Sequence, residues 1–193
     1  MILEDMFNVE LIDFKAFKDE ILNLRAYCWG IHHKDLITQE FYSKQDEIED
    51  LASIHCGIIV NNQLIACHRL LLNESILDLP YSEHFSSPIQ RGKYWYAYRY
   101  NRENDDFVVM RPPVASTGRL VIHPNYTKKG IPMLIIKFWI QTCKDMNVRT
   151  LLSYPSPWMV TTLLDLGFTY EKELIGVFKP LPKINLVLTM MKL

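Results

Sequence analysis

The sequence predicts a mixed α/β fold, a twisted and mostly antiparallel sheet of about seven strands with helices on both faces. Three observations predict it. Two β-rich runs flank an Asn-Asn turn at 61–63, a strand at 118–122 leads through a basic glycine turn into an apolar-faced helix, and the elements alternate as β, α, ββ, β, α, β, α, ββ.

Residues 6–12 make the first strand. Phe14, Phe17, Ile21, Leu22, Leu24, Arg25 and Cys28 then follow helical spacing, with Asp13 as the N-cap. The acidic stretch Gln45 to Asp50 reads as a loop. The hairpin pairs 54–60 with 64–71, because two β-rich runs around an Asn-Asn turn signal an antiparallel pair. A longer, less regular section covers 73–116, an elaborated insertion in what is otherwise one domain over 1–193. Strand 118–122 and the loop 127–130 follow, then a helix at 131–146 whose apolar positions are Ile131, Leu134, Ile135, Phe138, Ile140 and Met146. A strand at 150–154, a helix at 156–166 ended by Gly167, and two strands around Lys179-Pro180-Leu181-Pro182 complete the order.

Composition narrows the function. A formal charge of -1 attracts neither nucleic acid nor an anionic membrane, so an anionic ligand has to be held locally. No apolar run approaches the about 20 residues of a membrane span. The acidic start Met1-Ile2-Leu3-Glu4-Asp5 is wrong for a signal peptide, which makes the cytoplasm the expected compartment. Cys28, Cys56, Cys67 and Cys143 are scattered without metal or redox spacing and read as reduced core residues. The six histidines form no ligand set, so no metal is expected.

The segment 118–146 carries the chemistry. A basic turn with a glycine, entering a helix directly, presents backbone N–H groups and a positive dipole end to an anion such as a pyrophosphate. Lys128 and Lys129 add charge beside Gly130. The run 119–131 and the later Leu164-Asp165-Leu166-Gly167-Phe168 resemble the GNAT superfamily of acyltransferases, in order and spacing, across nearly the whole chain.

That resemblance implies the GNAT fold and an N-acyltransferase using acetyl-CoA or another acyl-CoA, with a primary amine of a small molecule or peptide as acceptor. The backbone of Leu120, Val121 and Ile122 would pair with the pantetheine arm, and the Val121 amide would polarise the thioester carbonyl. Splaying of this strand from 150–154 would make the slot. Lys128, Lys129, Gly130, Ile131 and Pro132 would hold the phosphates, although the family's glycine-loop signature is kept only at Gly130. Pro132 fits a first helical turn but removes one amide donor. Leu163 stands where many relatives carry a tyrosine acid, four residues before Gly167, so Tyr154 becomes the candidate acid. Ser156 takes a donor-side position or a plain helix N-cap. His123, in a His-Pro turn, and His55 and His68, in the hairpin, read first as structural residues.

A second branch is also similar: the acyl-homoserine lactone and long-chain N-acyl amino acid synthases, through Arg69-Leu70-Leu71, Asp78-Leu79-Pro80 and Gly118-Arg119-Leu120-Val121. Arg25 and Trp29 match it loosely, and Ser116 replaces its usual acidic residue. That branch implies an acyl carrier protein as donor. A GNAT-fold protein that only binds a ligand is the third reading, favoured by Pro132 and Leu163. The run 94–100 alternates tyrosines on one face and offers an acyl or acceptor wall, a packed strand or a homodimer interface.

Overall fold

The computed structural model describes residues 7–32, 44–73, 85–91, 94–99, 107–110, 113–153, 155, 159–177 and 185–193. The chain divides into two compact units, 1–71 with 118–138, and 72–117 with 139–193.

In the first unit, β1 (Glu10–Ile12) pairs antiparallel with β2 (Ile54–Val60), and β2 with β3 (Gln63–Asn73). The strand order continues from β3 to the 118–122 half of β7 (Val114–Ile122). Asn61 and Asn62 turn the hairpin with φ 50° and 61°, the left-handed pair that matches strand twist. The first strand is shorter than the 6–12 expected. Helix α1 (Lys18–His32) lays Ile21, Leu24, Arg25 and Cys28 on its buried face, and its apolar members join Ile12, Phe14, Leu64, Cys67 and Val121 in one core. Asp13 caps the turn just ahead of it, accepting from the Ala16 amide at 2.9 Å.

The acidic stretch expected as a loop is instead helix α2 (Lys44–Ala52). Its Gln, Glu, Leu and Ala are good helix formers. Its outward Ile48 and Leu51 are more than half exposed while Asp50 is fully buried, so charge rather than an apolar stripe seats it.

In the second unit the order is β7, β8 (Thr150–Ser153), β10 (Asn185–Lys192), β9 (Thr169–Val177). Val114–Thr117 of β7 runs parallel to β8, as strands joined through a crossover helix do, and the other described pairs are antiparallel. The section 73–116 is more regular than expected: β4 (Phe85–Arg91), β5 (Tyr94–Arg99) and β6 (Phe107–Met110) form an antiparallel sheet. How the tyrosine side chains of β5 are directed lies outside the described residues, as does Tyr100.

Helix α3 (Ile131–Asp145) follows the turn after β7 and passes from the first unit into the second. Its buried stripe is Ile131, Ile135, Ile136, Trp139 and Cys143; Leu134, Phe138 and Ile140 are only half-buried, and Met146 lies exposed beyond the helix end. The buried face lies about 70° round the helix axis from the expected one, most of one residue step, and has Trp139 at its centre. All four cysteines are buried free thiols, and burial pushes Cys28 up to about 11 and Cys67 and Cys143 to about 12.

Helix α4 (Val160–Asp165) ends as expected at Gly167. Gly167 has φ 92°, its amide donates to Leu164 O at 2.9 Å, and the Phe168 amide donates to Leu163 O at 3.0 Å. That is a Schellman cap. A Cβ there would meet only Met191 Cε at 3.5 Å, an ordinary contact. Gly167→Ala is therefore expected to lose about 1–2 kcal/mol through the backbone alone. Equilibrium urea unfolding reads it, and an unchanged midpoint would show the left-handed cap to be dispensable.

Candidate active site

The chain leaves β7 at Ile122 and turns through a 3₁₀ segment, Pro124–Tyr126, before entering α3. Contacts within the turn and contacts to β3 and α1 together hold it. The His123 amide donates to Ile65 O at 2.7 Å, Asn125 N donates to His123 Nδ1 at 3.3 Å, and Thr127 Oγ1 donates to Pro124 O at 2.9 Å. His123 stacks on Tyr27 with centroids 5.3 Å apart. These contacts account for His123 as a capping residue, in line with its structural reading.

Thr127–Gly130 then reaches the helix with Lys128 at φ 61° and Gly130 at φ 67°. Only glycine takes such an angle without steric cost, which is why Gly130 belongs there. Lys128, Lys129 and Gly130 are exposed, Ile131 is buried, and Lys129 Nζ lies 5.1 Å from the Tyr126 ring centroid. Ile131 and Pro132 are the first two helical residues. The Met133 and Leu134 amides both donate to Gly130 O, at 3.1 and 3.3 Å. Pro132 is thus not the sole economy of donors in this turn, and the amides left to meet an anion are those ahead of it.

In β7, Val121 is buried in the core of the first unit, and Leu120 and Ile122 are half-buried. Among the described residues the register with β8 runs from Val114↔Thr150 to Thr117↔Ser153, and β7 itself continues to Ile122. Tyr154 and Ser156 lie outside the described residues. Leu163 is completely buried in α4, a packing residue with no proton to offer.

A second constellation was legible only as scattered landmarks. Arg25 from α1 grips Asp50 of α2 with both terminal nitrogens, at 2.5 and 3.1 Å, and Arg69 of β3 donates to Asp50 Oδ1 at 2.7 Å and to Glu49. Arg25, Asp50 and Arg69 are all buried. The two guanidiniums hold the Asp50 carboxyl below its ordinary range despite the opposing pull of burial, so the group stays ionised. His55 Nε2 lies 2.9 Å from the Asp50 carbonyl oxygen, which can only accept, so Nε2 carries the proton. His55 Nδ1 is then a buried acceptor with no partner among the described residues. His55 stacks on Phe14 at 4.9 Å. Burial, and then the charges of Arg25 and Arg69, push His68 down to about 3. Both hairpin histidines are thus neutral core groups. The sequence signal for this cluster was an arginine inside each of two apolar patterns, Arg25 in α1 and Arg69 in β3.

Among the described residues no group of His, Cys, Asp and Glu could hold a metal, and no helix is long and apolar enough to cross a membrane.

No protein-family model matches the chain, and no curated protein matches its sequence. Solved structures do. An acetyltransferase of the GNAT family from Staphylococcus aureus is 11% identical, with 96% of this chain and 98% of that one covered at a TM-score of 0.58. The CoA-dependent acyl-homoserine lactone synthase BjaI, solved with SAM and isopentyl-CoA, is 11% identical, with 97% and 82% covered at 0.62. Salmonella typhimurium yncA, solved with its cofactor acetyl-CoA, is 11% identical, with 96% and 93% covered at 0.58. The chain has the GNAT fold, a mixed α/β architecture built on a mixed sheet.

Proposed function

We propose that this chain is an N-acyltransferase that takes an acyl group from a pantetheine thioester, acetyl-CoA or a longer acyl-CoA, and passes it to a primary amine. The observation that carries the reading is the join of β7 to α3 within the GNAT fold: a left-handed Gly130 beside two exposed lysines at the start of a 15-residue helix. The amides of Gly130 and Ile131 and the charges of Lys128 and Lys129 would hold the pyrophosphate, and Pro132 would pack beside it. A hydrogen bond to a charged group contributes about 1.5–3 kcal/mol, so the amide absent at Pro132 would weaken donor binding by about tenfold or more unless the lysines compensate.

The backbone of Leu120, Val121 and Ile122 would lie along the pantetheine arm. In the transfer, the amine attacks the thioester carbon, the Val121 amide stabilises the oxyanion, and collapse breaks the C–S bond and releases the thiolate. Tyr154 is the proposed proton donor to that thiolate, Ser156 a donor-side contact, and water the acceptor of the amine proton. Holding the amine against the thioester would supply much of the acceleration. A carrier protein as donor is the alternative that the sequence resemblance to the autoinducer-synthase branch implies; BjaI, the synthase of that branch to which this chain is similar, is itself CoA-dependent and gives the alternative no support.

Thermal unfolding with acetyl-CoA, longer acyl-CoAs, free CoA and an acylated carrier protein tests this, because a ligand of the folded state raises the melting temperature. Gly130→Asp is the informative variant: aspartate tolerates the left-handed angle better than most residues, but its charge opposes a phosphate. A CoA-dependent rise in the wild type that Gly130→Asp abolishes is expected. A rise only with the carrier protein would replace CoA as donor, and no rise with any of them would end the acyl-donor reading.

A further inference from the structure

We propose that Trp29 is a positioning residue, which holds Arg119 in a left-handed backbone conformation and through it aims the Leu120–Ile122 backbone. This rests on the acyl-transfer reading and adds to it a residue on α1. Arg119 lies within β7 with φ 61°, where strand residues take negative φ. Gly118, the neighbouring residue, would take a left-handed angle at little cost, yet the angle falls on the arginine. A non-glycine residue keeps such a conformation only when its surroundings hold it.

The surroundings here are α1. The Arg119 guanidinium lies over the Trp29 ring, 5.3 Å from its centroid, a cation–π contact of the same order as the left-handed penalty. Two neighbours of Trp29 address the same stretch of chain. Cys28 Sγ donates to Ile122 O at 3.3 Å, and Tyr27 stacks on His123. Successive helix residues are about 100° apart, so Cys28 faces the strand while Tyr27 and Trp29 reach round it from either side. Three consecutive residues thereby fix both ends of the segment assigned to the donor.

A left-handed residue inside a strand breaks the pleat and redirects the peptide that follows, as a bulge does. The peptide joining Arg119 to Leu120 takes its orientation from Arg119, and the Val121 amide follows one residue on. An error of orientation there weakens an oxyanion contact, which is made in the transition state, more than it weakens binding of the donor in the ground state.

The test is a rescue. Trp29→Ala is expected to lower kcat for acetyl-CoA consumption by about tenfold or more while the dissociation constant of acetyl-CoA moves by less than about threefold. Adding Arg119→Gly, which lets the backbone take the angle unaided, should recover most of that loss. Trp29→Phe, which keeps an aromatic face, should stay near wild type and serves if the alanine variant folds poorly. Amide hydrogen exchange at Leu120–Ile122 gives a readout independent of turnover: faster in Trp29→Ala, slow again in the double variant. A double variant as impaired as Trp29→Ala in both measurements overturns the proposal. A wild type that neither binds nor consumes acetyl-CoA or any longer acyl-CoA defeats the functional reading instead, and the exchange pattern still decides whether Trp29 holds the strand.

Discussion

Asp50→Ala should destabilise the protein by about 3–5 kcal/mol, because it leaves buried guanidinium groups facing a lost counter-charge. Asp50 accepts three of the hydrogen bonds that Arg25 and Arg69 make, and all three residues are at most 5% exposed. A domain of this kind has only about 5–15 kcal/mol in total, so the variant would lie close to unfolding at physiological temperature. Urea unfolding of wild type and variant measures the loss. The same physics predicts a partial rescue: Asp50→Leu combined with Arg25→Met removes both members of the doubly bonded pair, while Arg69 keeps Glu49. The double variant should therefore be more stable than Asp50→Ala. A loss below about 1 kcal/mol in Asp50→Ala would mean that the cluster behaves as an exposed pair.

Most of the fold was legible where local chemistry and tertiary structure agree. Asn61 and Asn62 sit in the left-handed turn their identity favours, Gly167 ends α4 as a glycine C-cap should, and the apolar run after Gly130 is a helix. Helix α2 was not legible because its anchor is a carboxylate whose partners, Arg25 and Arg69, lie 25 and 19 residues away in sequence. A polar stretch with no apolar face looks like a loop until those partners are known. The buried stripe of α3 was misread in detail for a related reason: several hydrophobic residues compete for one face, and packing around Trp139 selects among them. Of the candidate site, the loop 127–130 and its glycine were legible from residue type. The left-handed Arg119 was not, since the neighbouring Gly118 gives the residue type that would normally mark such an angle. Tyr154 and Ser156 remain proposals of the family resemblance.

Stability should fall as pH drops from about 6.5 toward 4, before the carboxylates of the cluster titrate. The sign follows from the histidines. His55 and His68 are held below their ordinary value of 6.5, His68 down to about 3, with burial the leading cause for each. Between those limits the unfolded chain binds protons that the folded chain refuses, so acid favours unfolding. The charges facing His68 sharpen the effect, for Arg25 from α1, Arg69 beside it in β3 and His55 from β2 all oppose a proton there. Asp50 contributes in a separate window: its folded pKa lies below 3.8, so its stabilisation is complete above that value and is lost as pH falls through the folded pKa. Unfolding midpoints from pH 7.5 down to about pH 2 in steps of about one unit, compared between wild type and His68→Gln, separate the two. The variant should be less dependent on pH between 6.5 and 4 and retain the loss below 3.8. Equal slopes in the two proteins would remove His68 from the account. A wild type whose stability is flat down to pH 4 would mean that the hairpin histidines are open to water, and with them the charge cluster on which Asp50→Ala depends.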